Sequence, residues 1–128
     1  MNPFQIPGAF SWSELITNDI EGAKAFYGEI FGWRFKEGKV SNAPYTVIEV
    51  AGKEIGGISP LPSQSPTMPP TWGTYVTVED VEATVQKVEA LGGKILMAPI
   101  AIPPAACFAL IQDPQGANLA VISYGQPA

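Results

Sequence analysis

Glu14 and Glu49 are the acids best placed for chemistry, because each lies on an extended, aromatic-bearing segment. Successive side chains of a strand point to opposite faces, so residues two apart share a surface. By that rule Phe10, Trp12, Glu14 and Ile16 share one face, with Leu15 opposite. Tyr45, Val47 and Glu49 share another against Ile48 and Val50, and Gly73, Tyr75 and Thr77 a third. On the last extended segment Asn118, Ala120, Ile122 and Tyr124 go together. Were these faces to enclose one hollow, Trp12, Tyr45, Tyr75 and Tyr124 with Glu14 and Glu49 would give it aromatic walls and few polar anchors, the make-up of a ligand pocket. Such a pocket suits an aromatic or cationic ligand, since a cation over an aromatic ring gains about 0.5–2 kcal/mol. Glu14 is also the candidate catalytic residue, as a general acid and base, with Tyr75 or Tyr124 as the oxyanion donor such chemistry needs. The plainer alternative is that Trp12 and Ile122 fill the hollow while the two glutamates meet water at strand edges.

Other chemistry is poorly provided for. The chain has no histidine, so the usual neutral nitrogen ligand for zinc, nickel or iron is absent. Cys107, in "ACFALI", reads as a small buried hydrophobe, with no histidine to activate it. Asp113-Pro114-Gln115-Gly116 fits a type I turn and a structural role. Gly56-Gly57 lacks the context of a phosphate loop and marks a kink or close approach in a curved strand.

The elements that must position these residues are written twice. A shift of 61 residues lays "SELITNDIEGAKAFYGEIFGW" on "TYVTVEDVEATVQKVEALGGK", with Asp19 on Asp80, Glu21 on Glu82 and Gly32 on Gly93. Each copy has a strand, an acidic helix start, about twelve helical residues and a closing glycine. Ile20, Ala23, Phe26, Tyr27 and Ile30 recur at helical spacing, as do Val81, Val85, Val88 and Leu91. Strands are expected over 10–17, 33–37, 45–50 and 54–59, then 72–78, 94–98, 106–112 and 117–124. Five prolines in "PLPSQSPTMPP", 60–70, make a semi-extended linker. The expectation is one domain over 1–128, with module 1 at about 8–60, the linker at 60–70 and module 2 at about 71–125.

At 128 residues the chain is long enough to bury about two-thirds of its unfolded surface. Apolar residues are 46% and charged residues 15%, which favours a packed core. A net charge of −5 repels phosphate backbones and anionic lipid, so neither nucleic acid nor a membrane surface is an expected partner. Residues 95–111 are uncharged, but Pro99, Pro103 and Pro104 interrupt them; two buried strands joined by a proline corner are expected, not a membrane span. The lone cysteine and the absence of a leader-like start point to the cytoplasm.

"WSELITNDIEGAKAFYGEIFGW", followed by "GGKI" and "DPQGANLAVI", resembles the glyoxalase/bleomycin-resistance/dioxygenase group, the vicinal oxygen chelate superfamily, over nearly the whole chain. The resemblance implies an α+β fold of two βαβββ modules, their curved mixed sheets enclosing a small-molecule cavity with helices outside, and a homodimer. Metal-using members take ligands from the first strand of each module and the last strand of the second. Carried onto this sequence, those positions are Trp12, Gly73 and Ala120, none with a coordinating side chain. The expected function is therefore that of a metal-free binding protein, without cofactor, resembling the bleomycin-resistance branch. The alternatives are a glyoxalase-like lyase, isomerase or dioxygenase acting through Glu14, and a dimeric interaction module with an inert cavity.

Overall fold

The computed structural model describes residues 2–40, 43–61, 69–103 and 105–125. The proline-rich linker expected at 60–70 falls largely outside them. Eight strands and two α-helices follow in the order β1 (Phe10–Thr17), α1 (Ile20–Phe31), β2 (Arg34–Val40), β3 (Ala43–Val50), β4 (Lys53–Pro60), β5 (Thr71–Thr77), α2 (Val81–Ala90), β6 (Lys94–Ile102), β7 (Ala106–Gln112) and β8 (Asn118–Ser123). The fold is α+β, and the two halves repeat one topology, β2-β3-β4-β1 and β6-β7-β8-β5. In each, the first strand runs parallel to the last and the others are antiparallel.

Local chemistry explains the helices. Asp19 caps α1 by accepting from the Gly22 N–H at 2.9 Å, and Asp80 caps α2 by accepting from Ala83 at 3.1 Å. Gly32 ends α1 in the left-handed conformation at φ 70°. Lys24 on α1 reaches Glu37 on β2 at 2.8 Å and Glu21 at 3.2 Å. The hydrogen bond to Glu37 raises the Lys24 pKa and lowers that of Glu37. Being exposed, the pair adds little stability.

The chain divides into two compact units, Trp12–Gly73 and Met1–Ser11 with Thr74–Ala128. In the first, Leu15, Ile48 and Ile58 form the core, and Ile20, Ala23, Tyr27, Trp33 and Phe35 pack on it. In the second, Val81, Val85, Ala109 and Val121 do so, with Val78, Ile95, Cys107 and Ile111 around them. Residues 2–11 belong to the second unit for identifiable reasons. The Gly8 N–H donates to the Thr77 carbonyl at 2.8 Å and the Thr77 N–H to Ala9 at 2.9 Å. The Thr77 hydroxyl donates to the Pro3 carbonyl at 2.7 Å.

One expectation needs correction. Residues 95–111 do form two strands, but β6 is not buried. It is the outermost strand of its half, and its exposure alternates, leaving Leu96 and Ile100 exposed. Pro99 explains the placement: it has no N–H for a ladder, and the β6–β7 register shifts between Met97 and Ile100. Among the described residues no helix is long and apolar enough to cross a membrane.

Candidate functional site

In the first unit the sheet has two faces. Leu15, Ile48 and Ile58 pack with α1 residues, so their neighbours Glu14, Val47 and Gly57 face the other way. On that other face three of the six proposed ligand-binding residues meet. The Trp12 indole N–H donates to the Tyr45 hydroxyl at 2.9 Å, and that hydroxyl donates to Glu14 Oε1 at 2.6 Å. All three side chains are half-buried.

The register shows how this is possible. β4 lies between β3 and β1, and Gly57 pairs with Val47 on one side and Glu14 on the other. Tyr45 must therefore cross β4 to reach Glu14. It crosses at Gly57, where a built Cβ would overlap the Tyr45 hydroxyl and ring. Gly56 also marks a close approach, since a Cβ there would run into the Ser13 carbonyl oxygen. The glycine pair thus clears space for a cross-strand tyrosine and a close strand pair.

The other candidates lie elsewhere. Glu49 is four residues along β3 from Tyr45, about 13 Å at a strand's rise per residue, and beyond a register shift after Ile48. Tyr75 is in the second unit, 6.3 Å from the Phe108 ring and opposite Ala120 on β8. Tyr124 is also in the second unit, where its hydroxyl hydrogen-bonds the Ser11 hydroxyl at 2.6 Å and the Phe4 ring stands edge-on at 5.0 Å. Cys107 packs against the second unit's core, and burial, with Glu82 and Asp80 nearby, pushes its thiol pKa up. Asp113 holds its turn by accepting from Gln115 and Ala117, both at 2.9 Å.

Burial raises the Tyr124 phenol above the ordinary tyrosine value, and the Ser11 hydrogen bond only partly opposes this. The folded chain then holds that proton more tightly than the unfolded one. The stability involved is complete below pH about 10 and is lost as pH rises through the higher folded value. In an ultraviolet tyrosinate titration, Tyr124→Phe should remove amplitude above the ordinary tyrosine range, and an unchanged high-pH limb would show that Tyr124 is not held protonated by burial.

The ligand positions of metal-using members of the resembled group fall here on Trp12, Gly73 and Ala120, and these residues do not fit an ion. Trp12 donates its N–H to Tyr45, Gly73 has no side chain, and Ala120 is a buried methyl. Among the described residues no three His, Cys, Asp or Glu side chains gather closely enough to hold an ion.

Sequence reasoning passed over Tyr27, Phe31, Trp33 and Trp72, which gather around a cavity of about 480 Å3 on the helix side of the first unit. Tyr27 read as an ordinary core position. The available signal was the density of rings in "FYGEIFGW", 26–33, though nothing local brings Trp72 to them.

Comparison with known proteins gives the architecture its relatives. The chain is 37% identical over 113 residues to CFP32 of Mycobacterium tuberculosis, named "Putative glyoxylase", covering 86% of this chain and 43% of that protein. It is 28% identical over 132 residues to the anthracycline biosynthesis protein DnrV of Streptomyces peucetius, covering 93% and 48%. The chain thus spans about half the length of these relatives. Among solved structures, the methylmalonyl-CoA epimerase of Mycobacterium tuberculosis superposes with a TM-score of 0.63 at 14% identity, covering 94% of this chain and 89% of that one. The hypothetical protein BH1468 of Bacillus halodurans superposes at 0.67, also at 14% identity, covering 93% and 96%. The family model matches residues 9–121, and the chain belongs to the Glyoxalase/Bleomycin resistance protein/Dioxygenase superfamily.

Proposed function

We propose that the chain is a metal-independent, cytoplasmic, homodimeric small-molecule-binding protein whose ligand is an aromatic compound bearing a cationic or hydrogen-bonding group. The observation that carries this reading is the Trp12–Tyr45–Glu14 relay. It holds a carboxylate and two aromatic rings in fixed relation on one sheet face, so little side-chain freedom is lost on binding. DnrV, named for anthracycline biosynthesis, brings polycyclic aromatic compounds into the chemistry of the relatives.

The probe of choice is 9-aminoacridine, a cationic three-ring aromatic, titrated into a Trp33→Phe, Trp72→Phe chain whose remaining indole is Trp12. Saturable quenching is expected. Glu14→Gln should weaken it about tenfold to a hundredfold, the loss of a charged contact of roughly 1.5–3 kcal/mol. Equal affinity in the variant would remove Glu14 from the site. Native mass spectrometry of the purified chain reports subunit number and any retained organic ligand in one experiment.

The 2.6 Å Tyr45–Glu14 bond favours one other reading, an enzyme in which Glu14 moves a proton. A retained compound that takes up deuterium from heavy water with the wild-type chain, but not with Glu14→Gln, would select it.

A further inference from the structure

The cavity on the helix side of the first unit is separate from the Trp12–Tyr45–Glu14 face. Ser13 and Gly56 line it, and their immediate neighbours Glu14 and Gly57 belong to the opposite face of the same strands. Tyr27 and Trp33 stack at 5.6 Å with planes 27° apart, and Phe31 lies 5.0 Å from Trp33. Trp72 stands edge-on to Tyr27 at 5.4 Å and to Trp33 at 6.0 Å. Its indole N–H donates to the Tyr27 hydroxyl at 3.1 Å. The polar tips of these two rings therefore serve each other, and the wall they offer is largely hydrocarbon and π surface.

Three features argue for an occupant. The volume of about 480 Å3 lies in the range of small-molecule sites. Phe31, Ile55 and Trp72 line it yet remain 59%, 41% and 39% exposed, so covering them would remove much apolar surface from water. Among the described residues that line it, none carries a formal charge, so an ion entering would lose hydration with no opposite charge from them to replace it.

We propose that this cavity is a second binding site, for an uncharged aromatic small molecule that packs among Tyr27, Trp33 and Trp72. The two sites divide ligand chemistry by sheet face: polar or cationic aromatic compounds at Glu14, neutral ones under α1.

The test uses N-phenyl-1-naphthylamine, a neutral aromatic dye that brightens in apolar surroundings, titrated into the full chain. Saturable brightening with one dye per chain is expected, with energy transfer from tryptophan. Trp72→Ala should weaken binding tenfold or more. Ser13→Phe, which fills the cavity from an exposed position without removing a wall, should do the same and covers the case in which Trp72→Ala folds poorly. Glu14→Gln should leave the dye affinity within twofold, so this site and the Glu14 site fail independently. No saturable binding, or binding lost in Glu14→Gln but kept in Ser13→Phe, would overturn the proposal. So would one dye per two paired chains, which would make the cavity an interface between copies.

Discussion

Gly57→Ala is expected to destabilise the chain by about 1–3 kcal/mol, the usual range for added bulk with nowhere to go. The new methyl would occupy the place of the Tyr45 hydroxyl and ring edge. β4 is bonded to β1 on one side and β3 on the other, so the backbone cannot step aside. Tyr45 must leave, and Glu14 and Trp12 lose a shared partner. Gly57 is not among the residues with positive φ, so the conflict is one of space rather than of backbone conformation. Removing the ring should therefore relieve it. In a Tyr45→Ala background the same substitution should cost almost nothing, or gain a few tenths of a kcal/mol through the stiffer unfolded chain. A urea double-mutant cycle measures the difference. Equal costs in the two backgrounds would show that Tyr45 does not cross the sheet at Gly57. Gly56→Ala is the control, since its conflict is with the Ser13 backbone and no side-chain truncation should rescue it.

What the sequence revealed followed the range of the forces involved. Asp19, Asp80 and Gly32 act within a few residues of themselves, and the helix ends they mark lie where the spacing placed them. The 61-residue repeat was legible because each copy carries its own caps and strand pattern, and both halves have one topology. Alternation put Trp12 with Glu14 and separated both from Leu15. It could not join them to Tyr45, because that contact depends on β4 lying between β1 and β3, with a glycine at the crossing. For the same reason it grouped Glu49 with Tyr45, although distance along the strand keeps Glu49 apart from the relay. Burial misled where sheet order decides it. β6 reads as apolar from Ile95 onward, but an outermost strand has one neighbour, and Pro99 fits there. The cavity under α1 was the least legible feature, since Trp33 and Trp72 meet only through the fold.

The residue next to Gly57 should give the opposite result. Ile58 is fully buried, pairs with Leu15 and Thr46, and belongs to the core under α1. Ile58→Ala removes apolar contacts and leaves a hole that the strands on either side cannot close, at a cost of about 2–5 kcal/mol. For a chain of this size that is a fall in Tm of roughly 7–19 °C. Ile58→Val should cost about 0.5–1.5 kcal/mol, and Phe26→Ala, on the exposed side of α1, within about 0.5 kcal/mol. Differential scanning calorimetry of the three orders them, and a cost below about 1 kcal/mol for Ile58→Ala would show that this core is not packed as described. Because Ile58 points away from Glu14, the folded Ile58→Ala chain should keep its 9-aminoacridine affinity within about twofold, while the folded Gly57→Ala chain should lose it. Adjacent positions on one strand then separate the two requirements: Ile58 supplies apolar volume to hold the sheet on its helix, and Gly57 supplies empty space for a tyrosine to reach a glutamate.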